Sequence, residues 1–516
     1  AAVINLAGAI SGTSQATDDL IINSTGVTNI TQAITALDTL VTNAGGTIAT
    51  TANITTAGVQ TYANAVTVNG DITFQGSTVS MGSLAGADGT NDEVTITGIF
   101  DLNGAATTNL KTLAVSSTSN IGGDVTTSTT QTYTDSVVMS GADRTLTATT
   151  VNFGDTVDGG GNELAIVGIL NLDGALTNTS NFSVSSTSDL AANVTTTGTQ
   201  TYSNNVVLSS NGTNTLQGTT VTFNGTLSGA GDNDNLVITG NAAFGDGTAD
   251  TVTGIESLTV SGNTAIETTT ITTATTGNAN VQTYGDSGAN DTTTLGTNVV
   301  MTTGTADADT IIFNSKLDSD GATPRNLTLT GGIVQFAGVV GVTQDLGAID
   351  ITGKLNLDAA IGNGATAGAA SLAVSGTSTI DANVTTSGNQ TYSGAATLGT
   401  AARTLRGGTI NFGSTLAGGT QNLTITGNLD LDGAATGLGT IAVSGTSNLG
   451  ASVTSSGTQD YGTDNSDLTT LSATVVLTAA DANIDMRSID GNTNDLTFNT
   501  GSGAAGGVRD GADMAK

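Results

Sequence analysis

The side chains of this sequence that could do chemistry are mainly carboxylates, because histidine and cysteine are both absent. The commonest general base and the thiol nucleophile are therefore missing. Short acidic clusters stand among glycine and asparagine, and carboxylate oxygens are ligands that Ca²⁺ prefers. None of the clusters completes an EF-hand loop, and Asp and Asn are ordinary turn formers. The sequence thus favours turns, with calcium as the alternative cofactor, and the candidate ligands are Asp88, Asp92, Asp232, Asp234, Asp318 and Asp320.

Carboxylate pairs could also cleave polysaccharides, as they do in some β-helix enzymes, and this is the catalytic alternative. Sites of that kind also use cations, but the ten Lys and Arg residues of this chain are scattered along it. We therefore predict a protein without catalytic residues that is not an enzyme.

A second pattern is the tripeptide Gln-Thr-Tyr, which accounts for all six tyrosines of the sequence, once in the form Gln459-Asp460-Tyr461. A tyrosine ladder could bind carbohydrate, but one motif tyrosine in about 70 residues is sparse for that purpose. The spacing instead predicts a structural marker, with each ring packed against a neighbouring turn of a repeat. The markers are Tyr62, Tyr133, Tyr202, Tyr284, Tyr392 and Tyr461.

The residues around the tyrosines repeat in the same order. The segment LNLDGA at 170–175, for example, returns as LDLDGA at 429–434. Self-similarity at a fixed period is typical of repeat architectures. The predicted organisation is one continuous array with segments 1–58 (partial repeat), 59–129, 130–198, 199–279, 280–388 (long repeat with extra coils), 389–457 and 458–516 (partial repeat and tail).

Apolar residues alternate with polar ones in short runs bounded by Gly, Asn, Asp or Ser, as in 410–412 and 423–425. Alternation with period two predicts short, half-buried β-strands. Residues 30–42 are the exception, because their apolar residues have helical spacing. The internal repeat aligns this segment with strand-like runs near 346–351, and we therefore expect strands there too.

Two all-β architectures fit many short strands: a string of immunoglobulin-like sandwiches, or a β-solenoid whose coils stack on one another. The intervals between tyrosines favour the solenoid. The 108-residue interval exceeds the 69-residue one by 39 residues, which corresponds to about two more turns of roughly 20 residues. The 82-residue interval is 13 residues longer, which fits a side loop near 268–280.

The formal net charge of −33 argues against partners that are themselves strongly negative, such as nucleic acids. Nucleic-acid binding needs a basic stripe, which the sequence lacks. No run approaches the roughly 18 apolar residues of a membrane span. An acidic chain without cysteine suits a secreted protein that stays soluble without disulfides.

The pattern VTTSGNQTY at 384–392, together with strand-like runs at 309–313 and 326–330, resembles the repeat region of filamentous-haemagglutinin-like exoproteins. The resemblance covers essentially the whole chain, but in repeat style rather than in a catalytic signature. It implies a right-handed parallel β-helix, secretion to the cell surface, and a role as an adhesin stalk or surface fibre, with a host or surface glycan as a partner.

A self-assembling filament, sheath or S-layer subunit is the alternative function. Neither terminus of the sequence looks like a polar cap, and an open terminal coil exposes unpaired backbone groups. We therefore expect self-association into a longer fibre or end-to-end stacking.

Overall fold

A computed structural model describes residues 3–43, 45–231, 234–247, 249–274, 279–287, 290–321, 323–501 and 508–510. The chain forms two compact units, residues 1–245 and 246–516. Within the described residues the regular elements are β-strands, and no helix is present.

Among its described residues the first unit contains 27 strands, most of them three to ten residues long. They are β1 Ile4–Leu6, β2 Ile10–Ser11, β3 Leu20–Ile22, β4 Val27–Ile30, β5 Ile34–Leu37, β6 Leu40–Thr42, β7 Thr47–Thr50, β8 Ile54–Thr56, β9 Val59–Val68, β10 Ile72–Gly86, β11 Glu93–Leu102, β12 Thr107–Val115, β13 Ser119–Ile121, β14 Val125–Tyr133, β15 Val137–Met139, β16 Arg144–Phe153, β17 Val157–Asp158, β18 Leu164–Leu172, β19 Leu176–Thr179, β20 Phe182–Val184, β21 Ser188–Leu190, β22 Val194–Thr196, β23 Thr199–Tyr202, β24 Val206–Leu208, β25 Thr213–Phe223, β26 Leu227–Gly229 and β27 Asn235–Phe244.

The second unit contains 30 strands in its described part. They are β28 Thr251–Ile255, β29 Ser257–Val260, β30 Thr264–Ile266, β31 Thr270–Thr273, β32 Val281–Tyr284, β33 Thr292–Leu295, β34 Val299–Thr302, β35 Thr310–Phe313, β36 Lys316–Ser319, β37 Leu327–Phe336, β38 Leu346–Leu357, β39 Ala369–Val374, β40 Ser378–Ile380, β41 Val384–Thr385, β42 Gln390–Tyr392, β43 Ala396–Leu398, β44 Arg403–Phe412, β45 Leu416–Ala417, β46 Leu423–Leu431, β47 Ala435–Leu438, β48 Ile441–Val443, β49 Ser447–Leu449, β50 Val453–Ser455, β51 Gln459–Tyr461, β52 Leu468–Leu471, β53 Val475–Ala479, β54 Ile484–Met486, β55 Ser488–Asp490, β56 Leu496–Asn499 and β57 Val508–Asp510.

Each strand pairs in parallel with strands one turn before and after it. In the first unit Ile166 pairs with Val184, and Val184 pairs with Tyr202. In the second unit Val443 pairs with Tyr461 in the same way, again 18 residues later. Both units are therefore β-solenoids, and the predicted fold class is confirmed. The sandwich alternative is wrong, because it requires antiparallel pairing.

Three strand positions complete a turn, so each unit has three faces. Long strands bend at a corner and serve two of them: in β18, Leu164 and Ile166 stack under Phe182 and Val184, whereas its last three residues stack under β21. The three faces of the first unit carry the stacks Tyr62–Met81–Leu102, Val115–Tyr133–Phe153 and Val184–Tyr202–Phe223.

Alternation within each strand places apolar side chains in the core and small polar ones outside. Residues 30–42 show how short strands can imitate a helical pattern. Ile30, Ile34 and Leu40 are all fully buried, but they lie at the end of β4, the start of β5 and the start of β6. Ala36, at a φ of +56°, lies inside β5, where the register with β8 shifts. The expectation of strands over a helix here is confirmed.

Candidate functional site: the Gln-Thr-Tyr clamps

The Gln-Thr-Tyr motif provides the most regular polar arrangement inside the solenoid. Each motif stands in a strand whose first and third motif residues point inward. Gln131 and Tyr133 are therefore fully buried, whereas Thr132 between them is half-buried on the outer face. The six motifs lie in β9, β14, β23, β32, β42 and β51.

The glutamine amide joins two successive turns at one corner. Nε2 of Gln131 donates to the carbonyl oxygen of Val125, six residues earlier, and to that of Thr147 in the next turn, both at 2.9 Å. The hydroxyl of Tyr133 donates to Oε1 of Gln131 at 3.2 Å. We call this set of glutamine, tyrosine and two carbonyl groups a clamp. The other clamp pairs are Gln60–Tyr62, Gln200–Tyr202, Gln282–Tyr284, Gln390–Tyr392 and Gln459–Tyr461.

The fourth clamp shows that the carbonyl positions matter more than the sequence spacing. Nε2 of Gln282 donates to the carbonyl oxygen of Ile271, eleven residues earlier, at 3.4 Å and to that of Thr302 at 2.9 Å. The chain between β31 and β32 is longer than in the other motifs, yet the amide reaches the same two corners. The clamp is thus a property of the corner itself.

The clamp satisfies a fully buried amide and hydroxyl at once. Both amide protons and the carbonyl oxygen of the glutamine have partners, which is the condition for burying such a group at low cost. Burial raises the pKa of all six tyrosine hydroxyls above the ordinary value of 10. The hydroxyl therefore stays protonated and keeps donating to the glutamine.

The tyrosine ring packs on the next turn. Tyr133 stacks on Phe153 with centroids 5.5 Å apart, and Tyr392 stacks on Phe412 at 5.3 Å. The first ring instead meets Phe74 edge-on at 5.7 Å. All six tyrosines are at most 1% exposed, so their rings offer no surface on which a sugar could stack.

Consecutive clamps of the first unit lie on different faces. Between Tyr133 and Tyr202 the chain passes through β15–β23, and β16 and β18 each serve two faces. This makes about eleven face positions, or three turns and two thirds, since three positions make a turn. Tyr62, Tyr133 and Tyr202 accordingly stand on the three faces in succession.

The second unit has the same interval of about eleven face positions between clamps, except that one interval is longer. From Tyr392 to Tyr461 the chain again passes nine strands, of which β44 and β46 serve two faces. Between Tyr284 and Tyr392 it gains one additional turn, and on one face of this region two successive turns are joined by isolated bridges at Val340 and Ile361. The remaining extra residues form longer loops, so the expectation of two additional turns is wrong.

The clamp corner requires glycine two turns later. Gly98 has a φ of +129°, and a Cβ there would lie 1.8 Å from the carbonyl oxygen of Gly76. At the second clamp, Gly168 has a φ of +145° and a Cβ would lie 1.9 Å from the carbonyl oxygen of Ala148. No other residue fits such a close approach of two backbones.

The candidate calcium ligands in the first unit fasten loops. Asp92 is 1% exposed, and its two carboxylate oxygens accept from the backbone N–H groups of Gly70, at 2.7 Å, and Asp88, at 3.0 Å. Asp88 accepts in turn from Thr90 within the same loop. Buried Asp234 accepts from the N–H groups of Asn211 and Gly231, and Asp232 lies outside the described residues.

The candidate ligands in the second unit have similar partners. Asp318 accepts from the N–H group of Thr343 at 3.1 Å, and Asp320 pairs with Arg325 at 3.0 Å. The Arg325 side chain holds the pKa of Asp320 below its ordinary value. In the described part of the chain no three His, Cys, Asp or Glu residues come together as metal ligands do. These carboxylates act on backbone and arginine groups.

Outside the core, short ladders of amides and carboxylates run across successive turns. Asn411 and Asn448 donate to the two oxygens of Asp430, each at 2.8 Å. Asp430 and Asn448 also line a shallow groove of about 390 Å³, with Thr446 and Leu468 beside them. This is a polar outer surface with hydrogen-bonding groups at the spacing of the turns.

Comparison with known protein families, curated proteins and solved structures finds no match to this chain. Within the described residues there is also no helix with the length and apolar character to cross a bilayer.

Proposed function

We propose that this chain is a non-catalytic extracellular structural protein, the repeat stalk of a surface adhesin or fibre. The observation that carries the proposal is the use of the repeated motif. The glutamine and tyrosine of all six motifs are buried, and the glutamine amide is bonded to backbone carbonyl groups of successive turns. A residue pattern that recurs in order to join turns serves the length and strength of the solenoid.

The surface supports an extracellular setting for such a stalk. A formal net charge of −33 keeps a long protein soluble and discourages non-specific association. The acidic side chains with the clearest roles hold loops, as Asp92 and Asp234 do. The outer groove beside Asp430 and Asn448 presents amide, hydroxyl and carboxylate groups of the kind that bind a surface glycan.

Immunogold electron microscopy of the producing cells tests the proposal. Antibodies against the chain should label fibres or stalks outside the cell envelope, and label confined to the cytoplasm would refute it. Regular filaments or a lattice formed by the purified chain alone would favour the sheath or S-layer alternative. Release of new reducing ends from polysaccharides by the purified chain would favour the enzyme alternative.

A further inference from the structure

Each repeat combines a clamp with a second recurring feature, a buried hydroxyl group. Ser188 is 3% exposed, and its Oγ has no hydrogen-bond partner among the described residues. It lies on the stack that runs from Gln131 through Val151 and Leu170, three turns beyond the clamp. A buried hydroxyl without a partner has lost its water and gained nothing in exchange.

The same place in the other repeats also carries a hydroxyl. Ser447 stands three turns beyond Gln390, on the stack through Ile410 and Leu429, and its Oγ is likewise buried and unpartnered within the described chain. In the long repeat the additional turn moves the hydroxyl one turn further from its clamp. The serines of this set precede the next motif glutamine by twelve residues, and they are Ser119, Ser188, Ser378 and Ser447.

Strong and weak contacts between turns thus alternate with the period of the sequence repeat. At a clamp, one amide hydrogen bond and a ring contact join one turn to the next, and a second amide hydrogen bond fastens the corner within the turn. At the serine, the same stack has a small side chain and an unpaired hydroxyl. In a solenoid each repeat contacts only its neighbours, so stability is a sum of such nearest-neighbour contacts. The weak contacts between turns then determine at which turns an unfolding event begins and ends.

We propose that the solenoid yields under tension in blocks, each bounded by buried hydroxyl-bearing residues of this set and containing one clamp. The distance from Ser119 to Ser188, and from Ser378 to Ser447, gives blocks of 69 residues. This deepens the proposed function, because a stalk bears tension, and its biological use rests on that function. The division into blocks is a property of the chain itself.

Single-molecule pulling on the full chain, held at its two ends, tests the proposal. Release of 69 residues should lengthen the chain by roughly 230–250 Å at about 3.3–3.6 Å per residue. Steps of one turn, roughly 70 Å for about 20 residues, or one cooperative rupture of the whole chain would overturn it. The step lengths do not depend on where the protein is located in the cell. The block proposal can therefore fail while the immunogold labelling supports an extracellular stalk, and the reverse.

Ser188→Ala is the decisive variant, because alanine removes the unpaired hydroxyl and fits the same space. The step that ends at Ser188 should fuse with the step that follows it, so the separate step of roughly 230–250 Å for residues 119–188 should disappear. Ser203→Ala, at an exposed serine in the same region, is the matched control and should leave the steps unchanged. Identical step patterns for the two variants would refute the position of the boundary. In addition, Tyr133→Phe should lower the rupture force of its own block only.

Discussion

Removing one hydroxyl group from a clamp tests whether the clamp stabilises the solenoid through its hydrogen bonds. In Tyr202→Phe the ring keeps its stacked position on Phe223, 5.4 Å away, so the apolar burial is unchanged. What is lost is the 3.2 Å hydrogen bond to Oε1 of Gln200, which leaves that oxygen buried without a donor. The expected loss is about 1–3 kcal/mol in the local free energy of opening.

The companion variant is Gln200→Leu, which takes the amide donor from the carbonyl groups of Val194 and Gln217 and the acceptor from Tyr202. It should cost about 2–5 kcal/mol. The double variant should cost about 1–2 kcal/mol less than the sum, because it leaves neither the hydroxyl nor the amide oxygen unpaired.

Native-state hydrogen exchange is the suitable assay, because a long repeat array does not unfold in one two-state step. Exchange of the amides in β23 and β25 should accelerate about tenfold for each 1.4 kcal/mol lost. Thr201→Ala, on the outer side of the same strand, is the control and should change exchange little. Equal effects of Tyr202→Phe and Thr201→Ala, or strict additivity in the double variant, would refute the reasoning.

Three further outcomes are expected. Circular dichroism should show β-structure and less than about a tenth helix, and a larger helical signal would contradict the fold. Asp467 accepts from the N–H groups of Asp464 and Thr463, which lowers its pKa below the ordinary value of 3.8. The stabilisation from these hydrogen bonds is present above the ordinary pKa and is lost as the pH falls through the lowered pKa. Proteolysis of this loop should therefore increase below about pH 4, and Asp467→Asn should remove the pH dependence. Gly98→Ala should destabilise the protein by about 2–4 kcal/mol in thermal unfolding, because residue 98 has a positive φ and a backbone carbonyl group close to where the Cβ would lie. Gly8→Ala is the control and should be nearly neutral, since a Cβ there meets nothing within 4 Å. Equal melting temperatures of the two variants would contradict the corner geometry.

The fold could be predicted from the sequence because two signals agreed: period-two alternation and a long internal repeat. The repeat even corrected the helical spacing of residues 30–42, where the end of β4 and the short strands β5 and β6 place the apolar side chains inward. The position of the tyrosines inside a repeat was also visible, since no tyrosine occurs elsewhere.

The role of the glutamine could not be predicted so directly. Its amide bonds to carbonyl groups such as those of Val125 and Thr147, which are backbone atoms and leave no trace in side-chain identity. The constant spacing of two residues between Gln and Tyr was the available signal, because residues i and i+2 share a face of a strand. The single additional turn before Tyr392 could not be counted from the sequence, because the interval between two tyrosines does not distinguish residues in loops from residues in strands.

The mismatch between the sequence repeat and the turn has a consequence for how such a chain can evolve. A repeat of three turns and two thirds does not return to its starting face, as the succession of Tyr62, Tyr133 and Tyr202 shows. Duplication or loss of one repeat by recombination would therefore rotate every downstream side chain about the axis by a third of a circle. Three such events restore the original facing, so a change in repeat number also changes the direction in which the following residues are displayed.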